Sequence, residues 1–196
     1  MNKPTNMPDA LIIVDVQRYF INDLCASPMN KLIKAVCREV RWAKKHNLPI
    51  ICLEYTDICG TGAIIRTAVE IRNEIGKYHS VWYVRKNSDG GGNEVNDVVQ
   101  GLVPDWGLAS GSCKLRRMVG WRMGKKNTTF RICGVNLEAC VQDTTDQLLD
   151  MGYSVDVVRG ATRNVWDNKP VGKARWWKER IESRQVNVVN LAREIA

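Results

Sequence analysis

The apolar positions along this chain alternate between short continuous runs and segments with helical spacing. The run "ALIIVDVQ" (10–17) is almost wholly apolar and ends in polar residues, which is typical of a strand buried on both faces of a sheet. Between Asn30 and His46 the apolar side chains recur at helical spacing, which predicts an amphipathic helix. The alternation continues, predicting strands over 48–55, 80–86, 128–134, 153–160 and 186–189, and helices over about 62–75, over 137–152, and from an N-cap at Asn168 to about Arg184.

This order of elements predicts the fold class. Strands that alternate with helices are joined by right-handed crossovers, so the strands lie parallel and the helices cover both faces of the sheet. We therefore expect an α/β protein with three α/β/α layers, built on a mainly parallel, six-stranded, Rossmann-like sheet. A chain of 196 residues is long enough for one core, so 1–196 is predicted to be a single domain.

One long interval, residues 87–127, breaks the regular pattern. It is predicted to contain a loop, a hairpin or turn, and a helix near 112–124. The glycines at 90–92 either bring the backbone close to a ligand or form a mobile loop, and the mobile loop is the simpler expectation. Trp106, in the same interval, is a candidate for a lid aromatic or a contact between subunits.

The formal charge of +8 raises the question of an anionic partner. Basic residues gather at 41–46, 114–126 and 172–184, and the last two segments also contain tryptophans, as a nucleic-acid surface can. No nucleic-acid-binding motif accompanies them, so solvated helix faces are the favoured interpretation. Nucleic acid is therefore not an expected partner, although the charge could help to gather a small anionic substrate.

The sequence also predicts where the protein resides. No apolar run is long enough for a spanning helix, and the first residues lack the apolar core of a secretory signal, so no membrane partner is expected. The seven cysteines have no framework spacing, which favours reduced thiols over disulfides. We expect a cytoplasmic protein.

Three reactive side chains fall at the ends of predicted strands. Asp15 lies near the end of the first, Lys86 closes the third, and Cys140 lies in the first helical turn after the fourth. Ligands of open parallel sheets bind at this edge, where the strand order reverses. Each residue alone is more often structural, but three chemically different groups at one edge favour catalysis. A helix N-terminus would stabilise the thiolate, a carboxylate in apolar surroundings would exchange a proton near neutrality, and the lysine would orient that carboxylate.

The segments that hold these residues resemble the isochorismatase-like cysteine hydrolases. The similarity lies in "ALIIVDVQRYF", in "VWYVRK" and in "ICGVNLEACVQDTTDQLLDMGYSVDVV", and extends from about residue 9 to residue 189. It implies a catalytic triad of Asp15, Lys86 and Cys140. It also implies a cis peptide bond between Val135 and Asn136, and an oxyanion hole formed by the amides of Asn136 and Cys140.

The resemblance further implies hydrolysis of a C–N bond in a small amide, carbamoyl or ureido compound through a thioester. Metal-binding members carry an aspartate and histidines after the second strand, where this chain reads "EYTDICGTG". The only histidines, His46 and His79, are expected to be structural, so we expect no metal and no cofactor. Members that cleave vinyl ethers need no cysteine nucleophile, so Cys140 favours C–N hydrolysis.

Further expectations concern the pocket and the assembly. Gln17, Phe20, Tyr55 and Glu138 are candidates for substrate binding by their position in the sequence. The resemblance implies a homo-oligomer, a dimer or larger. One alternative stays open: the scaffold could bind a ligand or partner without catalysis, as the glycine loop and the atypical interval 87–127 suggest. The intact Asp, Lys and Cys weigh against that alternative.

Overall fold

A single parallel sheet organises the protein in the computed structural model, which describes residues 7–22, 26–56, 65–100, 128–165, 175–183 and 185–192. The strand order is β3-β2-β1-β4-β5-β6, and all five neighbouring pairs are parallel. This confirms the predicted parallel six-stranded sheet. The strands are β1 (Ala10–Val14), β2 (Ile50–Tyr55), β3 (Val81–Lys86), β4 (Thr129–Gly134), β5 (Ser154–Thr162) and β6 (Val186–Val189).

Helices cover both faces of the sheet and complete the three predicted layers. In the described ranges they are α1 (Arg18–Ile21), α2 (Ala26–Lys45), α3 (Val69–Ile75), α4 (Gly92–Gln100), α5 (Cys140–Asp150) and α6 (Arg175–Glu182). The buried side chains of α2 and α3 share one apolar cluster, and those of α4, α5 and α6 share the other. None of the helices in the described ranges is long and apolar enough to cross a membrane.

The central strand β1 explains why the run at 10–14 is wholly apolar. Ile12 and Val14 point into one cluster, while Leu11 and Ile13 point into the other. An apolar residue is needed at every position because both faces of β1 are covered. The chain moves outward through β2 and β3, then returns to place β4 on the other side of β1. The reversal leaves a crevice beyond the carboxyl ends of β1 and β4.

The helix predicted over 62–75 begins later than expected. Its described part starts at Val69, and Thr67 instead forms a bridge with Gln17. Oε1 of the buried Glu54 accepts the Thr67 N–H at 2.7 Å and the Thr67 hydroxyl at 2.9 Å. These bonds hold the residues before Val69 in an extended conformation. Residues 62–64 lie outside the described ranges.

Helix α4 was not predicted, although the sequence carried a signal for it. The interval was expected to open with a loop, but a helix begins at Gly92. Val95, Val98 and Val99 have helical spacing, and all three are buried in the cluster that includes α5. The helix predicted near 112–124, Trp106, the N-cap at Asn168 and the basic segment 114–126 lie outside the described residues.

Candidate active site

Three sequence-predicted residues meet at the carboxyl edge of the sheet. Asp15 follows β1, Lys86 ends β3, and Cys140 begins α5 after β4. Nζ of Lys86 lies 2.7 Å from Oδ2 of Asp15, and the Asp15 carboxylate is close enough to the Cys140 thiol to raise the pKa of that thiol. Only 0%, 2% and 4% of Asp15, Lys86 and Cys140 are exposed. Because β2 separates β3 from β1, only a long side chain reaches from Lys86 to Asp15.

Asp15 is held in place by backbone groups of β2. Its φ of 50° lies in the left-handed region, which aspartate tolerates better than most residues. Its N–H donates to the carbonyl of Leu53 at 3.1 Å, and its Oδ1 accepts the N–H of Tyr55 at 3.2 Å. Burial raises the pKa of the Asp15 carboxyl, although the ammonium of Lys86 opposes the shift. One carboxylate oxygen therefore faces the backbone and the other faces Lys86.

Lys86 is an internal anchor. Besides Asp15, its ammonium donates to the carbonyl oxygens of Ser88 and Asp89, each at 2.8 Å. The ammonium therefore combines two hydrogen bonds to backbone oxygens with a buried ion pair to Asp15. Nζ also lies 4.9 Å from the centroid of the Tyr55 ring. Lys86 thus orients the Asp15 carboxylate and the turn that follows β3.

The glycines at 90–92 pack tightly, and the prediction of a mobile loop is wrong. The N–H of Gly91 donates to Oγ1 of Thr144 at 2.9 Å, and the N–H of Gly92 donates to Oε1 of Gln147 at 2.8 Å. A Cβ on Gly91 would overlap the side chain of Leu53. The glycines therefore let the backbone approach α5 and β2, and this approach places the Ser88–Asp89 turn on Lys86.

We expect Thr144→Val to loosen this turn. The change removes the hydroxyl that accepts the buried N–H of Gly91, which costs about 1–3 kcal/mol when no other acceptor replaces it. Thr145→Val is the matched control, because the Thr145 hydroxyl only donates to the carbonyl of Val141 in its own helix. Urea denaturation should show a loss of stability for Thr144→Val that is at least about twice that of the control. Equal losses would contradict the anchoring role of Thr144.

Cys140 is a neutral thiol in the free protein, which corrects the expectation of a stabilised thiolate. Burial raises the pKa of Cys140 to about 12, and the Asp15 carboxylate contributes in the same direction. The ammonium of Lys86 and the backbone N–H of Asn136, which donates to the sulfur, oppose the shift without cancelling it. Burial and the Asp15 carboxylate therefore favour the protonated form of the thiol.

The raised pKa predicts how Cys140 reacts without substrate. Alkylation by iodoacetamide needs the thiolate, so its rate at Cys140 should rise about tenfold per pH unit from about pH 7 to about pH 10. A small-molecule thiol with an ordinary pKa, alkylated in parallel, should level off within that range. Peptide mass spectrometry separates Cys140 from the other cysteines. A rate at Cys140 that is already constant above pH 7 would contradict the neutral thiol.

The turn before Cys140 is held by Asn136. The peptide bond between Val135 and Asn136 is cis. The carbonyl of Asn136 accepts the N–H of Val141 at 2.9 Å, and its Oδ1 accepts the N–H of Val165 at 3.1 Å. Its own N–H points to the Cys140 sulfur, next to the place where an oxyanion would form. The oxyanion-hole role of the Asn136 and Cys140 amides stays a prediction.

Gln17 is placed as a positioning residue. It is fully buried, and its Nε2 donates to the carbonyl oxygens of Tyr55, at 3.0 Å, and of Ile65. Its Oε1 accepts the N–H of Tyr55 at 2.9 Å. Since the side-chain amide is committed to backbone groups, Gln17 would have to break these bonds to contact a substrate.

The other three pocket candidates differ in their surroundings. The rings of Phe20 and Tyr55 meet edge to face with centroids 6.0 Å apart, and both side chains are half-buried. They form an apolar wall beside Lys86. Glu138 is exposed and accepts the Nδ2–H of Asn164 at 2.7 Å through Oε2, so it lies at the outer rim of the turn before Cys140.

Asp89 was not predicted from the sequence, but its Oδ1 accepts a hydrogen bond from the Cys140 thiol at 3.8 Å. The signal was an acidic residue three positions after Lys86, in the segment whose contacts the sequence left open. His46 packs against Trp42, and His79 packs against Tyr78. Within the described part of the chain, no three His, Cys, Asp or Glu side chains are grouped so that they could hold a metal ion.

Comparison with known proteins establishes the fold. No family model matches the chain, and no curated protein matches its sequence. One similar solved structure is N-carbamoylsarcosine amidase from Thermoplasma acidophilum, with a TM-score of 0.62 and 15% identity over 97% of this chain and 100% of that one. A nicotinamidase from Staphylococcus aureus has a TM-score of 0.59 and 16% identity over 91% of this chain and 95% of its own. An isochorismatase from Pseudomonas putida has a TM-score of 0.61 and 15% identity over 95% of this chain and 89% of its own. The chain therefore has the isochorismatase-like fold that these enzymes share.

Proposed function

We propose that this protein is a metal-independent cysteine hydrolase that cleaves a C–N bond in a small amide, carbamoyl or ureido compound through a thioester. One observation carries the proposal: the buried contacts from Lys86 to Asp15 and from Asp15 to the Cys140 thiol. A nucleophile beside a base that a third group orients is the arrangement of covalent catalysis. Two of the similar structures are amidases by name, which supports C–N hydrolysis.

The neutral thiol determines how the first step must proceed. The proton of Cys140 moves to Asp15 as the sulfur attacks the carbonyl carbon, and the electron pair of the C=O π bond moves to oxygen. Burial raises the pKa of Asp15, which makes its carboxylate a better proton acceptor than an exposed one. The amides of Asn136 and Cys140 donate to the oxyanion. Lys86 holds the carboxylate in place throughout the cycle.

The remaining steps return the enzyme to its starting state. The protonated Asp15 gives its proton to the nitrogen as the C–N bond breaks, so ammonia or an amine leaves and a thioester remains on Cys140. Water then attacks the thioester carbon while Asp15 takes a proton from it. The C–S bond breaks, the sulfur recovers its proton from Asp15, and the acid is released. One water is consumed in each cycle.

An ammonia-release screen over small amides, carbamoyl compounds and ureides tests this proposal. We expect at least one substrate for the wild type, with activity at least about a thousandfold lower in Cys140→Ala. Acid quenching during turnover should reveal an acyl mass on the peptide that contains Cys140. Cys37→Ala is the control, because Cys37 lies on α2 and has no part in these contacts. A Cys140→Ala variant with full activity would refute the proposal.

The alternative is a binding protein on the same scaffold, and one of the two observations that favoured it no longer applies. The glycine segment suggested a ligand loop, but Gly90–Gly92 packs on α5 and β2. Only the interval beyond Gln100 still argues for it, and that interval lies outside the described residues. Tight binding of a small amide without any acyl mass on Cys140 would favour this alternative.

We also propose a homo-oligomer, a dimer or larger, on the resemblance to the cysteine hydrolases. Size-exclusion chromatography with light scattering measures the mass directly. A monomer near 22.2 kDa at micromolar concentration would contradict it.

A further inference from the structure

Among the residues that the structure describes, the charges around the Cys140 sulfur do not balance. Lys86 and Asp15 are buried together as an ion pair, so their charges largely compensate. A further carboxylate, that of Asp89, accepts a hydrogen bond from the Cys140 thiol, with Oδ1 at 3.8 Å from the sulfur. Asp89 is exposed, so its carboxylate faces the solvent side from which a substrate must arrive.

The main chain of Asp89 is held where it is. Its carbonyl accepts a hydrogen bond from Nζ of Lys86 at 2.8 Å. The next residues, Gly90 and Gly91, are buried against α5 and β2, and the Gly91 N–H is bonded to Thr144. Only the side-chain rotation of Asp89 remains variable, so its carboxylate stays near the sulfur.

A second carboxylate strengthens the negative potential at this point. Asp143 lies one helical turn after Cys140, and positions three apart share one side of a helix. Burial raises the pKa of Asp143, and the carboxylates of Asp89 and Asp146 add to this shift. Asp143 and Asp89 are therefore close enough to interact. Within the described residues, these two carboxylates and the Asp15–Lys86 pair leave a net negative charge around the nucleophile.

We propose that Asp89 selects the substrate by charge: it favours compounds that carry a cationic group or N–H donors beside the scissile carbonyl, and it disfavours compounds with a carboxylate there. A cation or an N–H donor placed against Asp89 gains a charge-assisted hydrogen bond, whereas a carboxylate is repelled. An N-carbamoyl amino acid, whose carboxylate lies close to its ureido group, would fit less well than a compound with an ammonium or a free amide. This inference rests on the proposed function for the reaction, but the potential at Cys140 can be measured without it.

Thiol reagents of opposite charge measure that potential. Trimethylammonioethyl and sulfonatoethyl methanethiosulfonate are similar in size and form a disulfide with the cysteine as methanesulfinate leaves. The ratio of their rates at Cys140, divided by the same ratio for a small neutral thiol, reports the local charge. We expect the cationic reagent to be favoured by about tenfold at low ionic strength, and Asp89→Asn to reduce this preference by about threefold or more.

The controls separate Asp89 from general effects. A change in the overall reactivity of the thiol in Asp89→Asn would affect both reagents equally and cancel in the ratio. Asp150→Asn removes one negative charge at the far end of α5, about 15 Å along the helix from Cys140, and should leave the ratio unchanged. A ratio equally unchanged in Asp89→Asn, or a wild-type preference for the anionic reagent, would overturn the inference.

The rates of the two thiol reagents do not depend on the proposed hydrolysis, so charge selection by Asp89 and hydrolysis can be refuted separately. If the ammonia-release screen finds a substrate, kcat/KM of a neutral and a carboxylate-bearing analogue should be compared in wild type and Asp89→Asn. We expect the variant to raise kcat/KM of the anionic analogue relative to that of the neutral one by about fivefold. Equal changes on both would show that Asp89 does not discriminate by charge.

Discussion

Asp15→Asn is expected to lower hydrolysis by at least about a thousandfold and to lower the free energy of unfolding by about 3 kcal/mol. Activity falls because Asn cannot accept the Cys140 proton. Stability falls because the ammonium of Lys86 stays buried without its carboxylate partner. Asn is the right replacement, since it has the same shape and tolerates the φ of 50° that position 15 adopts.

A double-mutant cycle with Lys86→Met separates pairing from catalysis. Each single variant leaves one buried charge unpaired, whereas the double variant leaves none, so its loss of stability should be smaller than the sum by about 2 kcal/mol or more. All three variants should remain inactive. The exposed pair of Arg41 and Glu74, with a 2.6 Å contact, is the control and should couple by less than about 1 kcal/mol. Urea denaturation supplies the energies, and an active Asp15→Asn protein would refute the assigned role.

Gly134→Ala is expected to destabilise the protein by more than about 4 kcal/mol, enough to leave little folded protein at growth temperature. The φ of Gly134 is 135°, which side chains rarely adopt. A Cβ there would overlap the carbonyl oxygen of Val14 and lie 2.7 Å from its nitrogen. Val14 and Gly134 are register partners at the centre of the sheet, so neither backbone can yield without separating β1 from β4.

Gly152→Ala is the matched control, because it isolates the cost of backbone conformation. Gly152 has a φ of 85°, but a Cβ there would meet nothing within 4 Å. It should lose only about 1–2 kcal/mol. Thermal and urea unfolding of both variants measure the difference. Similar midpoints would show that β1 and β4 can separate enough to accommodate a Cβ at position 134.

Some parts of the site were predictable from local patterns. The wholly apolar run that precedes Asp15 indicated a central strand, and Asp15, Lys86 and Cys140 were placed at strand ends by sequence position alone. Since carboxyl ends of parallel strands meet at one edge, their convergence followed from the fold class. Helix α4 was also within reach, because Val95, Val98 and Val99 carry helical spacing. It was missed because the preceding glycines suggested a loop.

Other parts depended on contacts between distant segments. Gln17 was a pocket candidate, but its amide is bonded to the backbone of Tyr55 and Ile65. The glycines after Lys86 were interpreted without knowing that Thr144 and Gln147 would accept their N–H groups. These partners lie dozens of residues away along the chain, and no local pattern identifies them.

The sequence itself therefore determined the succession of strands along the chain and their parallel direction. It also placed three reactive side chains at strand ends, because periodicity and strand ends are local properties. The charge state of Cys140 and the place of Asp89 were decided only by the tertiary structure. A helix N-terminus by itself favours a thiolate, whereas burial and the charge of Asp15 raise the pKa of Cys140 to about 12. Both quantities exist only once the chain has folded.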